Sequence, residues 1–286
     1  VNMIRSSKKL YHILEVCRQK RKTVGFVPTM GALHEGHLSL VRASRRENRV
    51  TVVSVFVNPT QFGPKEDFSR YPRVLSHDKR LLSECGADYL FYPSVQEMYP
   101  EGLLKPLKIP GAKWPVLAKG LCGKFRPGHF QGVVTVVAKF LEMIKPTRLY
   151  LGAKDYQQAR VLTRMVEDLS LKVKVRVMPT VREKDGLAMS SRNRFLTPEE
   201  RARATMISRV LFDLRKGLKK RQKTIRELKK QALRELERHV DKVQYLEVVD
   251  ADWLVPARAY GGDLAALTAC FVGKTRLIDN VIIHAS

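Results

Sequence analysis

The chain predicts an α/β fold: a Rossmann-like, doubly wound parallel sheet with a smaller C-terminal α+β domain. Three observations lead there. Apolar runs suited to buried strands alternate with segments of helical periodicity through the first part of the chain. Several of those runs stop at glycine, proline or amide residues, as strands do where they enter loops. After about residue 182 the rhythm changes to two amphipathic helices and then β-like runs, so the chain divides into domains at 1–182 and 183–286.

In chain order, strands are expected at 24–28, 51–57, 88–92, 148–151 and 173–177, alternating with helices at 38–47, 76–85, 131–144 and 155–168. The segment Pro93 to Pro127 is rich in Pro, Gly and Lys and is expected to cover one wall of a site. The second domain should hold helices at 199–218 and 222–240 and strands at 243–249, 267–272 and 276–283.

The run from Val24 to Val41 carries the strongest functional signal. An apolar strand passes through Gly31 into His34, Gly36 and His37, then an amphipathic helix. Glycines allow a tight turn and close approach to a ligand, and helix-start amides offer donors to an anion, so the segment reads as a nucleotide phosphate site. The two imidazoles, three residues apart, are placed to donate to one anion as its charge builds. The next strand stops at Asn58, Pro59 and Gln61. In open α/β sheets ligands sit beyond the carboxyl ends of strands, which is where Thr29, Met30, Asn58 and Gln61 fall.

Two more constellations repeat the theme. Gly152, Lys154 and Asp155 follow a third strand at a helix entrance, where an ammonium can neutralise phosphate and an acid can cap the helix or bind a ribose hydroxyl. Gln158 lies one turn on, facing the same cleft as Lys154. Met189, Ser190, Ser191 and Arg192 occupy the junction between the domains, and hydroxyls with a guanidinium on such a loop suit a triphosphate clamp. A GxGxxG fingerprint is absent after the first strand, which argues against a nicotinamide dinucleotide. Gly273, Lys274 and Thr275 resemble a P-loop end, but Thr268 stands at the required glycine, so they read as structural.

Composition sets outer limits. A chain of 286 residues, 44% hydrophobic and 28% charged, is ordinary for a globular protein with a sizeable core. No apolar run is long enough to span a bilayer, and Val1 to Lys9 has no signal-like core, so a cytoplasmic protein is expected. Cys17, Cys85, Cys122 and Cys270 are scattered without a CxxC pair, against both a zinc site and a disulfide framework. The net charge of +25 would ordinarily point to polyanionic partners. Yet the densest run, Arg215 to Lys242, keeps Ile225, Leu228, Ala232, Leu233, Leu236 and Val240 at helical spacing, so its cations read as a solvated helix face. It also lacks aromatic residues for base stacking, so nucleic-acid binding is not expected on this reading and would be non-specific if it occurred.

The segments Pro28 to Leu40, Phe56 to Gly63, Arg126 to Phe130, Gly152 to Gln158 and Met189 to Asn193, with Arg276 to Asn280 near the end, together resemble the pantothenate synthetase family in order and spacing. The resemblance covers essentially the whole chain. It implies ATP-dependent condensation of pantoate with β-alanine through a pantoyl-adenylate, releasing pyrophosphate and AMP. It implies that Met30, Gly31, Ala32, Leu33, His34, Glu35, Gly36 and His37 line the ATP site, with Gly152, Ala153, Lys154, Asp155, Val181, Met189, Ser190, Ser191 and Arg192. His37, His34 and Lys154 would be the catalytic residues. Gln61 and Gln158 would hold pantoate, and Gln61 with Asn58 would orient β-alanine. Mg²⁺ would bridge phosphate oxygens without a dedicated protein cage, and the protein would be a homodimer. Ala153 and Thr147 stand where the family usually has acids, and family members are generally less basic. The alternatives are an adenylyltransferase acting on a phosphorylated acceptor, which neutral Gln61 and Gln158 disfavour, and a basic nucleic-acid-binding protein.

Overall fold

Residues 1–64, 66–103 and 107–285 are described in the computed structural model. The elements run β1 (Asn2–Ile4), α1 (Ser7–Gln19), β2 (Val24–Thr29), α2 (Glu35–Glu47), β3 (Val50–Val55), α3 (Leu75–Glu84) and β4 (Tyr89–Phe91). Short helices α4 (Val95–Met98), α5 (Trp114–Leu117) and α6 (Leu121–Phe125) precede α7 (His129–Ile144), β5 (Arg148–Gly152), α8 (Tyr156–Asp168) and β6 (Lys174–Met178). The chain ends with α9 (Pro198–Lys220), α10 (Ile225–Glu237), β7 (Lys242–Asp250), β8 (Leu264–Val272) and β9 (Thr275–Ile283).

The first six strands form one parallel sheet in the order β1-β4-β3-β2-β5-β6, and the last three form an antiparallel sheet in the order β7-β8-β9. This is the expected architecture, with edges displaced by a few residues. β3 is buried at every position, as a central parallel strand covered on both faces must be. β6 lies at the sheet edge with a partly exposed pattern and the cations Lys174 and Arg176, which suits an unpaired edge.

Besides the short helices α4 to α6, two elements at the start of the chain were not anticipated. β1 is only three residues long, too short for alternation to register. α1 does carry a helical stripe, with Leu10 and Leu14 fully buried and Ile13 and Cys17 packed beside them, and Ser6 caps its first turn. The segment from Pro93 to Pro127 contains the three short helices, apart from 104–106, which lie outside the described residues. Gly273 and Lys274 form the β8–β9 turn, as the structural reading of that stretch required.

One core cluster joins Phe26, Val52, Leu149 and the buried face of α7 with Val249, Ala251, Ala265 and Leu267 from the antiparallel sheet, so apolar packing is continuous across both sheets. A second cluster seats α9 and α10 on β7 to β9. In α10, Ile225, Leu228, Ala232 and Leu236 are buried. Arg226, Lys230 and Arg234 are exposed on its outer face, whereas Lys229 is part-buried and pairs with Glu247 of β7 at 2.5 Å. Among the described residues no helix is long and apolar enough to cross a membrane.

Close packing also fixes the loop after β3. A Cβ on Gly132 of α7 would lie 2.3 Å from the Thr60 carbonyl oxygen and 2.7 Å from the Gln61 nitrogen. Only glycine lets the Asn58–Gln61 turn close onto the helix. Gly132→Ala should therefore destabilise the protein by about 1–3 kcal/mol, the usual overpacking range, despite alanine's better helix propensity. Urea unfolding would measure this, and an unchanged midpoint would show that the contact relaxes freely.

Candidate active site

The chain leaves β2 on one side toward β3 and reaches β5 on the other, so the winding reverses between β2 and β5. A doubly wound sheet opens a crevice beyond its carboxyl ends at that point. The loops after β2, β3, β5 and β6 border an open cleft there.

The loop after β2 turns with positive φ at both Gly31 and Ala32. Its amides face inward. Gly31 N–H donates to Thr29 Oγ1 (3.2 Å), while Ala32 and Leu33 donate to the two oxygens of Asp78 on α3 (3.0 and 2.8 Å). His34 then caps α2, its Nδ1 accepting from Gly36 N–H at 3.2 Å, and His37 Nδ1 accepts from His34 N–H at 3.4 Å. The His37 and Leu38 amides donate to the His34 carbonyl. The expected free helix-start amides at Gly36 and His37 are thus already engaged, the first by the His34 ring and the second by the His34 carbonyl.

That cap assigns the tautomers. A neutral imidazole whose Nδ1 accepts carries its proton on Nε2. Burial, reinforced by Lys154, lowers the His34 pKa to about 4. Burial pushes His37 well below the ordinary range, with His34 and Lys154 adding to the effect. The rings lie 4.1 Å apart between centroids. The pair therefore consists of two neutral rings with Nε2–H groups as their free donors.

Amide side chains form the next wall. Asn58 Nδ2 donates to Gln61 Oε1 and to the Gly132 carbonyl, both at 3.2 Å, while Tyr99 donates to Asn58 Oδ1 at 2.8 Å. Beneath them Glu66 holds Arg126 through two hydrogen bonds of 2.7 and 2.5 Å, and Arg126 lies 2.9 Å from His129 Nε2. Since the guanidinium can only donate, His129 Nδ1 bears the proton and donates to the Gln61 carbonyl at 2.8 Å. Burial, aided by Arg126, lowers the His129 pKa to about 4. Val133, Val136, Val137 and Phe140 of α7, spaced along one helical face, give the cleft an apolar floor.

Lys154, Asp155 and Gln158 line the side after β5, with Lys154 Nζ 3.7 Å from an Asp155 oxygen. Asp155 sits at the N-cap of α8 without making a side-chain capping bond. This loop is tied from the antiparallel sheet, where Asn280 Nδ2 donates to the carbonyls of Ala153 (2.9 Å) and Lys154 (2.8 Å). The neighbouring Asp279 clasps Arg182 at 2.7 and 2.9 Å, fixing the start of the segment that leads to Ser190–Arg192. Arg192 itself donates to both oxygens of Asp67, at 3.0 and 2.9 Å.

The cleft unites Met30, His34, Gly36 and His37 with Asn58, Gln61, Gly152, Lys154, Asp155 and Gln158. Val181, Met189, Ser190, Ser191 and Arg192 close it from the β6 side. It does not take in Gly31, Ala32, Leu33, Glu35 or Ala153. Leu33 packs into the core, Glu35 pairs outward with Arg42, and Ala153 is buried with its carbonyl held by Asn280. Thr147, also noted for its departure from the family pattern, accepts from Val24 N–H at 3.0 Å and joins β5 to β2. Sequence reasoning gave no role to Tyr71, Asp67, Asp78, Tyr99 or His129. His129 was visible only as part of a motif, and the others reach the site from segments with no local signature.

The Pantoate-beta-alanine ligase family model matches residues 2–282. The chain belongs to the pantoate-β-alanine ligase family. It is 47% identical to the pantothenate synthetase of Fervidobacterium nodosum over 99% of this chain and 100% of the relative. For the pantothenate synthetase of Thermosipho melanesiensis the figures are 49%, 99% and 99%. The solved pantothenate synthetase of Thermus thermophilus superposes with a TM-score of 0.92 at 43% identity, covering both chains fully. A pantoate-β-alanine ligase from Francisella tularensis, solved with β-γ ATP and β-alanine, gives 0.79 at 36%, covering 99% of this chain and 97% of the other.

The buried histidines give this ligase fold a defined acid response. Their folded pKa values lie below the ordinary 6.5, near 4 for His34 and His129. Their contribution is complete above pH 6.5 and is lost as pH falls toward 4, because the unfolded chain takes up protons first. The melting temperature should hold steady above about 6.5 and decline between about 6.5 and 4.5, with a shallower decline in His129→Gln. Equal slopes for wild type and variant would contradict a neutral, buried His129.

Proposed function

We propose that this protein condenses pantoate with β-alanine in an ATP-dependent reaction that passes through a pantoyl-adenylate. The observation that carries the proposal is the convergence of four strand-end or hinge segments on one cleft, within a chain matched to the ligase family over nearly its full length. In the first step a pantoate carboxylate oxygen attacks the α-phosphorus and pyrophosphate leaves. The β-alanine amine then attacks the activated carbonyl carbon, a proton is lost from nitrogen, and AMP leaves.

The cleft supplies the needs of each step. Gln61 and Gln158 hold pantoate through its hydroxyls and carboxylate, while the α7 stripe accommodates its methyl groups. Neutral amides suit this acceptor better than a phosphorylated one, for which arginine would be the fitting partner. Gln61 with Asn58 orients β-alanine. Lys154 and the Nε2–H groups of His34 and His37 stabilise charge gathering on the phosphate oxygens, and Ser190, Ser191 and Arg192 complete the nucleotide site. The Val181 amide lies toward the adenine. Lys154→Ala and His37→Ala should each slow adenylation by about a hundredfold or more, the scale for losing an oxyanion donor. Lys154→Ala should leave the melting curve nearly intact, whereas His37→Ala, which also gives up the bond to the His34 amide, should lower stability by about the 0.5–2 kcal/mol of a lost cap. Unchanged single-turnover adenylation in either folded variant would remove that residue from the mechanism.

Among the described residues, no three His, Cys, Asp or Glu side chains are grouped as a metal cage. On the proposed reading Mg²⁺ would arrive on the nucleotide and offset charge on the phosphate oxygens. Chelation should abolish turnover and added Mg²⁺ restore it, with the melting curve unmoved in the absence of nucleotide. A chelator-induced fall in melting temperature would instead indicate a structural metal.

The same reading places residues 1–182 in a catalytic domain and 183–286 in a lid, and extends to a homodimer in the cytoplasm. The deciding assay is pyrophosphate release from ATP and Mg²⁺ with pantoate, with and without β-alanine, followed by product mass. Multiple turnovers requiring both substrates, yielding pantothenate and AMP, are expected. A folded protein that forms no pantothenate overturns the proposal.

A further inference from the structure

The aspartate on α3 has no place in the reaction as described, yet it holds the loop on which the two histidines are mounted. Asp78 is 1% exposed, and its two oxygens accept separately from the consecutive amides of Ala32 and Leu33 at 3.0 and 2.8 Å. Those amides can converge on one carboxylate because Gly31 and Ala32 both adopt positive φ, 83° and 51°. The fit leaves no slack. A Cβ on Gly31 would stand 2.9 Å from an Asp78 oxygen and 2.9 Å from Val55 Cγ1. The next residue in the chain is His34, whose backbone begins α2 and whose ring caps it.

We propose that Asp78 is a positioning residue for adenylate formation, acting as a clasp that sets the direction in which the His34–His37 pair enters the cleft. It does not line the cleft that holds the two histidines, but borders the adjoining cavity with Gly31 and Val55. A carboxylate suits the task because it accepts from two parallel N–H donors through separate oxygens, whereas an amide presents one acceptor and one donor. Left-handed backbone at a non-glycine residue such as Ala32 persists only where surrounding contacts over-determine it, and the clasp is such a contact. Its loss would let the turn relax and move both rings together. Displacements of about 1 Å in groups that stabilise a transition state can lower rates a hundredfold.

The test compares Asp78→Asn with wild type in two separate half-reactions. One is single-turnover pyrophosphate release with ATP and pantoate, and the other is capture of preformed pantoyl-adenylate by β-alanine. Both rates are expressed per active site counted by adenylate burst. The Asn side chain keeps the shape but turns an N–H group toward one amide. The first half-reaction should slow at least about tenfold, while the KM for β-alanine stays within about twofold. Mere destabilisation would lower the number of active sites and leave both rates per site unchanged, and that result would overturn the proposal.

Amide hydrogen exchange on the wild-type protein supplies a readout independent of any variant's folding. Ala32 and Leu33 should exchange at least about a thousandfold more slowly than an unstructured peptide, as amides locked by buried acceptors do. Exchange within about tenfold of the unstructured rate would show that no clasp exists. The inference rests on assigning the loop to ATP. Wild-type protein that releases no pyrophosphate would defeat that assignment, whereas exchange at Ala32 and Leu33 judges the clasp alone.

Discussion

The inward capture of backbone donors after β2 shapes everything else in this site. A glycine turn leading into a helix is ordinarily an anion cradle, because its amides are free and its helix dipole is exposed. Here Thr29 and Asp78 take up the amides of Gly31, Ala32 and Leu33, the two histidine rings those of His34 and Gly36, and the His34 carbonyl those of His37 and Leu38. An anion in the cleft is therefore left to side chains. The arrangement trades backbone donors for two imidazoles whose free Nε2–H groups stand further into the cleft, and it makes their aim depend on the rigidity of the turn.

The same logic governs the other walls. Several groups or loops facing the cleft are held from behind by a partner on a different element. Gln61 is gripped twice, through its carbonyl by His129 and through its side chain by Asn58, and those two are anchored by Arg126 with Glu66 and by Tyr99. The loop bearing Lys154 is held by Asn280, and Arg192 by Asp67. These bonds link β3, α7, β5 and β9, so the antiparallel sheet contributes to the site without lining most of it. Such support restricts movement of the functional groups to fractions of the distance that would disable them.

How much of this was legible follows from where each constraint lies along the chain. The parallel sheet was readable because β2, β3 and β5 are apolar runs cut off by glycine or amide residues, and those stops coincide with site loops. His34, Gln61, Lys154 and Ser190 were visible because a punctuating residue stands beside each. Asp78 was not, since it sits within α3 and its partners lie more than forty residues earlier. Nor could the pattern show that the helix-start amides were occupied: a capping histidine looks the same in sequence as one facing a ligand. β1 was missed for its length, and α1 despite a clear apolar stripe.

Charge has two separate meanings in this chain. The excess of cations on α10 lies on the outer face of a helix whose other side packs against the antiparallel sheet. Lys154, by contrast, faces the cleft and bears on both histidines, adding to the burial that keeps them neutral. A neutral imidazole cannot contribute a full positive charge, but its Nε2–H can follow a developing negative charge without giving up its proton. In the proposed reaction the ammonium and the two rings would be complementary, with Lys154 supplying the long-range field and the histidines directed hydrogen bonds. Desolvation and the Lys154 ammonium thus hold the pair neutral before a nucleotide arrives, and the reciprocal cap at the start of α2 fixes where its rings stand.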